Sequence, residues 1–301
     1  MLNALVPVFA VILLGYILKR SGFPGRDFWI YAERITYYLF FPGLLLSHLS
    51  VASFTGNQVL PLALVLILSI SAISLVLFMI RPLLDISGPS FSSLFQGGIR
   101  MNTYVGLAGS AALFGDAGLT LAAVAMVSMI PLINLICVPT VIHFGRGNGC
   151  GRTRLILEIV KNPLILGCIG GFILNLSRLP LPPSFMHFLE ILGRAALPLG
   201  LLAVGAGLEF KKLGESKSGL VVSSVSKLIL LPALAMIICS LLNVEGTARA
   251  VAIIFTALPT AASSYILARQ LGGDKTLMAS IITTQTILAA LTLLLMLYLG
   301  R

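Results

Sequence analysis

The chain has 301 residues, of which 58% are hydrophobic and 10% are charged, and its formal net charge is +10 at pH 7. A soluble globular protein carries about 25% charged residues, so this composition leaves no room for a soluble catalytic domain and predicts a surface that mostly faces lipid. Because the cations lie mainly in short loops and form no basic stripe, they predict orientation in a membrane and no nucleic-acid partner.

The apolar runs predict ten spans, since a spanning helix needs about 20 mostly apolar residues. The first run is followed, not preceded, by Lys19 and Arg20, which is the reverse of a secretory signal and predicts a retained helix. In chain order the predicted spans lie near residues 3–19, 31–50, 59–80, 91–113, 118–144, 157–176, 184–208, 220–242, 249–270 and 276–299.

Positive charges are concentrated on one side of this predicted arrangement. Most cations follow the odd-numbered spans, whereas only Arg178, Arg249 and Arg301 lie on the other side. Short cytoplasmic loops are enriched in Lys and Arg. We therefore expect a multi-pass protein of a cell membrane, of the prokaryotic inner-membrane type, with both termini outside.

Two halves of the chain share a register of proline and glycine. At an offset of 156 residues, the beginning of the first half matches the beginning of the second half. The identical pairs are Pro7/Pro163, Gly15/Gly171, Ile17/Ile173, Leu18/Leu174, Ser21/Ser177, Pro24/Pro180 and Pro42/Pro198. At an offset of 158, Gly115 and Asp116 fall on Gly273 and Asp274. Five spans is an odd number, so we predict two inverted five-helix repeats, residues 1–145 and 157–301, joined by a short cytoplasmic linker at 146–156.

Spans four and nine contain residues that interrupt helices. Span four holds Gly97, Gly98, Arg100, Asn102 and Thr103 near its middle, and span nine holds Pro259 and Thr260, followed by Ser263 and Ser264. Proline removes a backbone donor, and Asn and Thr cap new helix starts. Two half-helix starts that face each other would form an anion site, because each carries about half a positive charge.

Charged residues refine this prediction. Arg100 is either a fork donor for a substrate carboxylate or a structural side chain that reaches the cytoplasmic side or clamps a carbonyl. We expect Arg194 and Lys227 near interfacial water, or Arg194 paired with Glu190, which precedes it by four residues on the same helix face. All ten Asp and Glu residues are predicted in loops or toward span ends, away from Asn102 and Pro259, which argues against sodium–proton exchange.

The remaining reactive residues predict neither a metal site nor an enzyme. The four cysteines have no CxxC spacing, and the three histidines are scattered near span ends. Ser263 and Ser264 have no evident base, and no nucleophile–base set is found at mid-span. We therefore expect no cofactor, no metal and no catalytic residues.

The motifs RMNTY at 100–104 and ALPTA at 257–261 resemble the auxin efflux carrier family, which includes bacterial members described as malonate or malate transporters. The resemblance implies a fold related to bile-acid symporters and sodium–proton antiporters, in which spans four and nine cross. It also implies a scaffold of spans 1, 2, 6 and 7 that forms a homodimer. Spans 3–5 and 8–10 would form a transport domain that moves as an elevator.

Carried over by position, Asn102 and Pro259 are the crossover residues, and Thr103, Tyr104 and Thr260 adjoin the substrate. With Arg100 and Ser263 they complete the expected substrate-binding set. The short stretch from Gly145 to Thr153 departs from plant members with a long central loop and favours a prokaryotic-type carrier.

The predicted function is a secondary transporter in the lipid bilayer that moves small mono- or dicarboxylates by alternating access. Two alternatives remain open at this point. One is a sodium-coupled organic anion symporter like the bile-acid group, and the other is a non-transporting membrane sensor on the same fold.

Overall fold

The computed structural model describes residues 2–52, 58–145, 161–178, 181–209 and 217–300. Within these ranges every regular element is a helix, which confirms the all-helical prediction for this part of the chain. The predicted linker at 146–156 lies outside the described residues, and so do Pro180 and Arg301.

The described residues of the first half form six α-helices. They are α1 (Leu2–Arg20), α2 (Arg26–Ile35), α3 (Phe41–Ser50), α4 (Val59–Ile80), α5 (Gly88–Ile99) and α6 (Thr103–Phe144). A π-turn at Thr36–Phe40 joins α2 to α3 just before Pro42, which cannot donate a backbone hydrogen bond. Gly115 adopts φ 57° inside α6 and divides it into two helical parts.

The described residues of the second half form seven α-helices. They are α7 (Pro163–Ser177), α8 (Pro183–Ala206), α9 (Lys217–Val225), α10 (Leu231–Leu241), α11 (Gly246–Ala257), α12 (Ser263–Leu271) and α13 (Lys275–Leu299). A second π-turn, Ser226–Leu230, joins α9 to α10 just before Pro232. Helical residues occur within each of the ten predicted spans, and their number as membrane spans stays a prediction.

By length and composition, six helical stretches among the described residues are able to cross a membrane. They are Leu2–Arg20, Val59–Leu83, Gly88–Phe144, Pro183–Ala206, Lys217–Leu241 and Lys275–Leu299. The third of these is 57 residues long and includes both the gap between α5 and α6 and the bend at Gly115. The six stretches are those of an integral membrane protein.

The helices pack in two groups. In the first, α3 lies against α7 and α8, and α1 lies against α8. In the second, α6 packs on α4 and α11, α5 packs on α9 and α13, and α10 packs on α4 and α11. Contacts of α6 with α1 and α8 join the two groups. The buried core of the second group surrounds the two interrupted segments.

Candidate functional site

The first interruption separates α5 from α6. The helix α5 ends at Ile99, and Arg100 has extended backbone angles. Asn102 is the N-cap of α6, and its Oδ1 accepts hydrogen bonds from the backbone N–H groups of Tyr104 at 3.1 Å and Val105 at 3.3 Å. The asparagine therefore starts the second half-helix by satisfying two of its free donors.

The second interruption separates α11 from α12. The helix α11 ends at Ala257, Leu258 is extended, and α12 begins at Ser263. The carbonyl of Pro259 accepts a hydrogen bond from the backbone N–H of Asn102 at 2.8 Å. The two interrupted segments, which we call the crossover (residues 100–102 and 258–262), are thus in direct contact.

A buried polar network holds the crossover together. The Thr260 hydroxyl donates to the Gly97 carbonyl at 2.8 Å, and the Thr260 N–H donates to Gln285 Oε1 at 3.0 Å. The Gln285 amide donates in turn to the Gly97 carbonyl at 3.0 Å and to Ser223 Oγ at 3.2 Å. Since Thr260, Gln285 and Ser223 are fully buried, these bonds form away from water, where an unmade bond is costly.

A cavity of about 580 Å³ lies against the crossover. One wall comes from the crossover and from α6 and α12, and includes Arg100, Asn102, Thr103, Tyr104, Asn134 and Ser263. The opposite wall comes from α2, the π-turn after it, α7 and α8, and includes Glu33, Arg34, Tyr37, Asn162 and Val204. The cavity therefore lies between the two packing groups, and its volume suits a small organic molecule.

Arg100 is held in this cavity by two side chains. Its Nη1 donates to Asn134 Oδ1 at 3.0 Å, and its Nη2 donates to Ser263 Oγ at 3.3 Å. Both partners line the cavity, and neither is a backbone carbonyl. Of the roles considered for Arg100, this placement fits a cation presented to the cavity.

The electrostatics of the cavity are positive. Among the residues that the structure describes, its charged lining residues are Glu33, Arg34 and Arg100, whose formal charges sum to +1. In addition, α6, α7 and α12 begin at the lining residues or next to them, with Asn102 and Asn162 as N-caps of the first two. Helix N-termini carry a partial positive charge, so these three starts add to the attraction for an anion.

The structure separates the seven expected site residues into two sets. Arg100, Asn102, Thr103, Tyr104 and Ser263 line the cavity. Pro259 and Thr260 are buried behind it and bond the two interruptions to each other. Tyr104 also stacks on Phe41 of α3, with ring centroids 4.6 Å apart, and so contacts the other packing group.

Sequence reasoning missed several lining residues. The expectation that no acidic residue lies near Asn102 is wrong, because Glu33 of α2 lines the same cavity. The expectation for Lys227 is also wrong, since this side chain is fully buried. Asn134 and Asn162 gave no signal beyond their polarity, whereas the amide of Gln285 in the middle of an apolar span was an available clue.

Comparisons with known proteins extend over almost the whole chain. Residues 151–297 match the model of a family described as membrane transport protein. An uncharacterized transporter of Methanothermobacter thermautotrophicus is 26% identical over 297 residues, which are 97% of this chain and 95% of the relative. An uncharacterized transporter of Methanocaldococcus jannaschii is 23% identical over 304 residues, covering 97% and 96%.

Proposed function

The chain belongs to the membrane transport protein family, that of the auxin efflux carriers, and from this premise we propose that it is a secondary transporter of small organic anions. The substrates are mono- or dicarboxylates, and the site is the cavity at the crossover. The protein works as a multi-pass transporter by alternating access.

The observation that carries this proposal is the positive cavity in an apolar protein. In the described part of the lining, Arg34 and Arg100 outnumber the carboxylate of Glu33, and three helix starts lie at the same space. A guanidinium binds a carboxylate through two parallel hydrogen bonds. Apolar lining residues such as Ile130, Ile133 and Ile266 offer contact for the organic part of the substrate.

The proposed architecture is two inverted five-helix repeats, residues 1–145 and 157–301, with both termini outside. Irregular backbone at membrane depth is tolerated where it lines a cavity or is buried in protein. The crossover meets this condition, because Arg100 and Asn102 line the cavity and Pro259 and Thr260 are buried. Spans 1, 2, 6 and 7 form a dimeric scaffold, and spans 3–5 and 8–10 move past it. Because the cavity lies between these groups, such a movement would open it to one side of the membrane and then to the other.

Uptake into proteoliposomes tests this proposal. A panel of labelled carboxylates, from malonate and malate to indole-3-acetate, is offered to the native protein and to Asn102→Ala. We expect saturable uptake of at least one member and a loss of about tenfold or more in the variant, because the start of α6 loses its cap at the cavity wall.

Asn175→Ala is the matched control, since the side chain of this asparagine also makes two hydrogen bonds to backbone groups but lies outside the cavity. Its Nδ2 donates to the carbonyls of Ser50 at 3.1 Å and Ala52 at 2.8 Å. We expect this variant to retain uptake per folded molecule. Full activity of Asn102→Ala would reject the site, and no uptake of any carboxylate by the native protein would favour a sensor.

A further inference from the structure

Asn134 is a buried polar residue in an apolar stretch of α6. The rest of the segment 129–138 consists of Met, Ile, Pro, Leu, Cys and Val, and Asn134 is 7% exposed. Burying an amide among apolar groups is costly unless the amide is hydrogen-bonded. Its Oδ1 accepts a hydrogen bond from Arg100 Nη1 at 3.0 Å. The asparagine is therefore placed in the core as a partner of Arg100.

The bonds that hold Arg100 leave its charge uncancelled. Its second side-chain partner is Ser263, whose Oγ accepts a hydrogen bond from Nη2 at 3.3 Å. Neither partner is charged, and within the described part of the chain Arg100 forms no ion pair. Its Nε is buried and has no acceptor among the described residues. Because a guanidinium has five N–H donors, Arg100 keeps both donors and charge for a further acceptor.

The charge of Arg100 sets the sign of the cavity. Glu33 and Arg34 are consecutive residues of α2 on the opposite wall, and their formal charges cancel. The formal sum of +1 over the described lining therefore rests on Arg100. An aspartate in place of Asn134 would have nearly the same shape, but it would put a carboxylate oxygen about where Oδ1 lies, 3.0 Å from Nη1. That ion pair would cancel the charge that attracts an anion.

We propose that Asn134 is a positioning residue that sets the charge selectivity of the cavity. Its neutral oxygen fixes the guanidinium of Arg100 without cancelling the positive charge, which is thereby left for a substrate carboxylate. Ser263 is exposed and bonds at the longer distance, so it is the partner that an arriving carboxylate can replace. The role in uptake rests on the proposed transport of organic anions, whereas the effect on the potential of the cavity does not.

Thiol labelling tests the charge effect without any substrate. Ala262→Cys, with the four native cysteines replaced, places a thiol in the cavity next to Ser263. An anionic and a cationic methanethiosulfonate reagent of similar size are applied to this purified protein, with and without Asn134→Asp. We expect the ratio of the anionic to the cationic labelling rate to fall about threefold or more in Asn134→Asp, because the added negative charge repels one reagent and attracts the other.

Two control variants separate this charge effect from other causes. Asn243→Asp adds the same charge at an exposed turn outside the described cavity lining, so the ratio should not change. Asn134→Ser removes the amide but keeps a neutral hydroxyl as an acceptor, so the ratio should stay near that of the parent protein. An unchanged ratio in Asn134→Asp, or an equal fall in Asn134→Ser, would overturn the proposal.

Uptake gives the functional result. In proteoliposomes we expect Asn134→Asp to raise the KM for the transported carboxylate about tenfold or more, and Asn134→Ser to raise it less than about threefold. Asn243→Asp should match the native protein. A native KM in Asn134→Asp, or equal rises in the aspartate and serine variants, would contradict a role in charge selectivity.

The two experiments fail independently. If the native protein transports no carboxylate, the proposed function fails, and the labelling ratio still decides the role of Asn134. If Asn134→Asp is not recovered in folded form, Asn134→Ala takes its place in the uptake experiment. This variant keeps the charge of Arg100 but removes the bond at 3.0 Å, so its KM should rise about threefold or more, and a native KM would overturn the proposal.

Discussion

Asn102 shapes the site with three hydrogen bonds. Its side chain caps α6 through the N–H groups of Tyr104 and Val105, and its own N–H donates to the Pro259 carbonyl. Loss of an N-cap side chain costs about 0.5–2 kcal/mol. One residue therefore fixes both the start of a half-helix and the contact between the two interruptions.

At the scale of single residues, we predict how substitutions of Arg100 change carboxylate uptake. In Arg100→Gln the guanidinium that bonds Asn134 and Ser263 is lost, and with it one positive charge of the cavity. Hydrogen bonds to charged groups contribute about 1.5–3 kcal/mol, so we expect carboxylate uptake to fall about tenfold or more. Arg100→Lys should retain part of the uptake, because it keeps the charge but not the fork.

Arg249→Gln serves as the control for Arg100, because it removes a cation outside the cavity lining. Arg249 bonds the Gly300 carbonyl at 2.8 Å and Ser240 Oγ at 3.2 Å. Initial rates of labelled carboxylate uptake, normalised to folded protein, compare the three variants. Equal rates for Arg100→Gln and Arg249→Gln would contradict a substrate-binding role of Arg100.

The local part of the site was predictable from the sequence, and the opposite wall was not. Arg100 to Tyr104 are consecutive, so a single interruption brings them to the same cavity. Glu33 and Asn162 reach it from α2 and α7, and this depends on how helices far apart in sequence pack. Lys227 was expected near interfacial water, because long lysine side chains usually reach the interface. It is buried instead, because the π-turn that holds it lies in the core.

At the scale of elements, the interruptions of spans four and nine were predicted, because glycine, asparagine and proline mark them. Asn102, Asn162 and Asp274 are all N-caps whose side chains bind the first N–H groups of their helices. The two π-turns were not predicted, although each precedes a proline. Each proline lacks a backbone donor, and this sequence signal is the same for a π-turn and for a simple kink.

At the scale of elements, close packing at the end of α5 predicts how a substitution of Gly97 changes the stability of the protein. A methyl group added to Gly97 would collide with Ser223 Oγ and lie 2.7 Å from Ile281 Cγ2. We expect Gly97→Ala to destabilise the protein by about 1–3 kcal/mol. Combining it with Ser223→Ala should cost less than the two single changes together, because the removed hydroxyl makes room.

Gly109→Ala is the comparison, since its added methyl group would meet only Leu5 Cδ2 at 3.5 Å, an ordinary contact. Replacing a mid-helix glycine with alanine there should be neutral or stabilise by up to about 1 kcal/mol. Thermal unfolding of the purified variants measures these differences. A Gly97→Ala variant as stable as Gly109→Ala would show that α5 is less tightly packed than the structure indicates.

At the scale of the whole molecule, the cavity separates two groups of helices. Tyr104 stacks on Phe41 across this boundary, so an aromatic stacking contact joins the two groups beside the cavity. His48 at the end of α3 and Asp116 beside the bend in α6 form a second contact, with 3.4 Å between Nδ1 and Oδ1. The relative movement that alternating access requires would break such contacts on one side of the cavity and form others.

The membrane class and the family followed from composition and from two short motifs. Ten spans, their inverted relation and the homodimer stay predictions. Helix length alone cannot decide them, because interrupted helices such as α11 and α12 are each shorter than a span. The half-helices are joined in the core by contacts such as the hydrogen bond between Asn102 and Pro259, which cannot be read from the length of a helix.

Substrate protection of a single cysteine tests most directly whether the cavity at the crossover binds the transported anion. Ala262 lines the cavity and is half-buried, so Ala262→Cys, with the four native cysteines replaced, places a reporter there. The rate of labelling by an anionic thiol reagent is measured with and without the carboxylate that the uptake panel identifies. We predict slower labelling with the carboxylate and an unchanged rate with its amide. Equal rates with and without the carboxylate would contradict binding in this cavity.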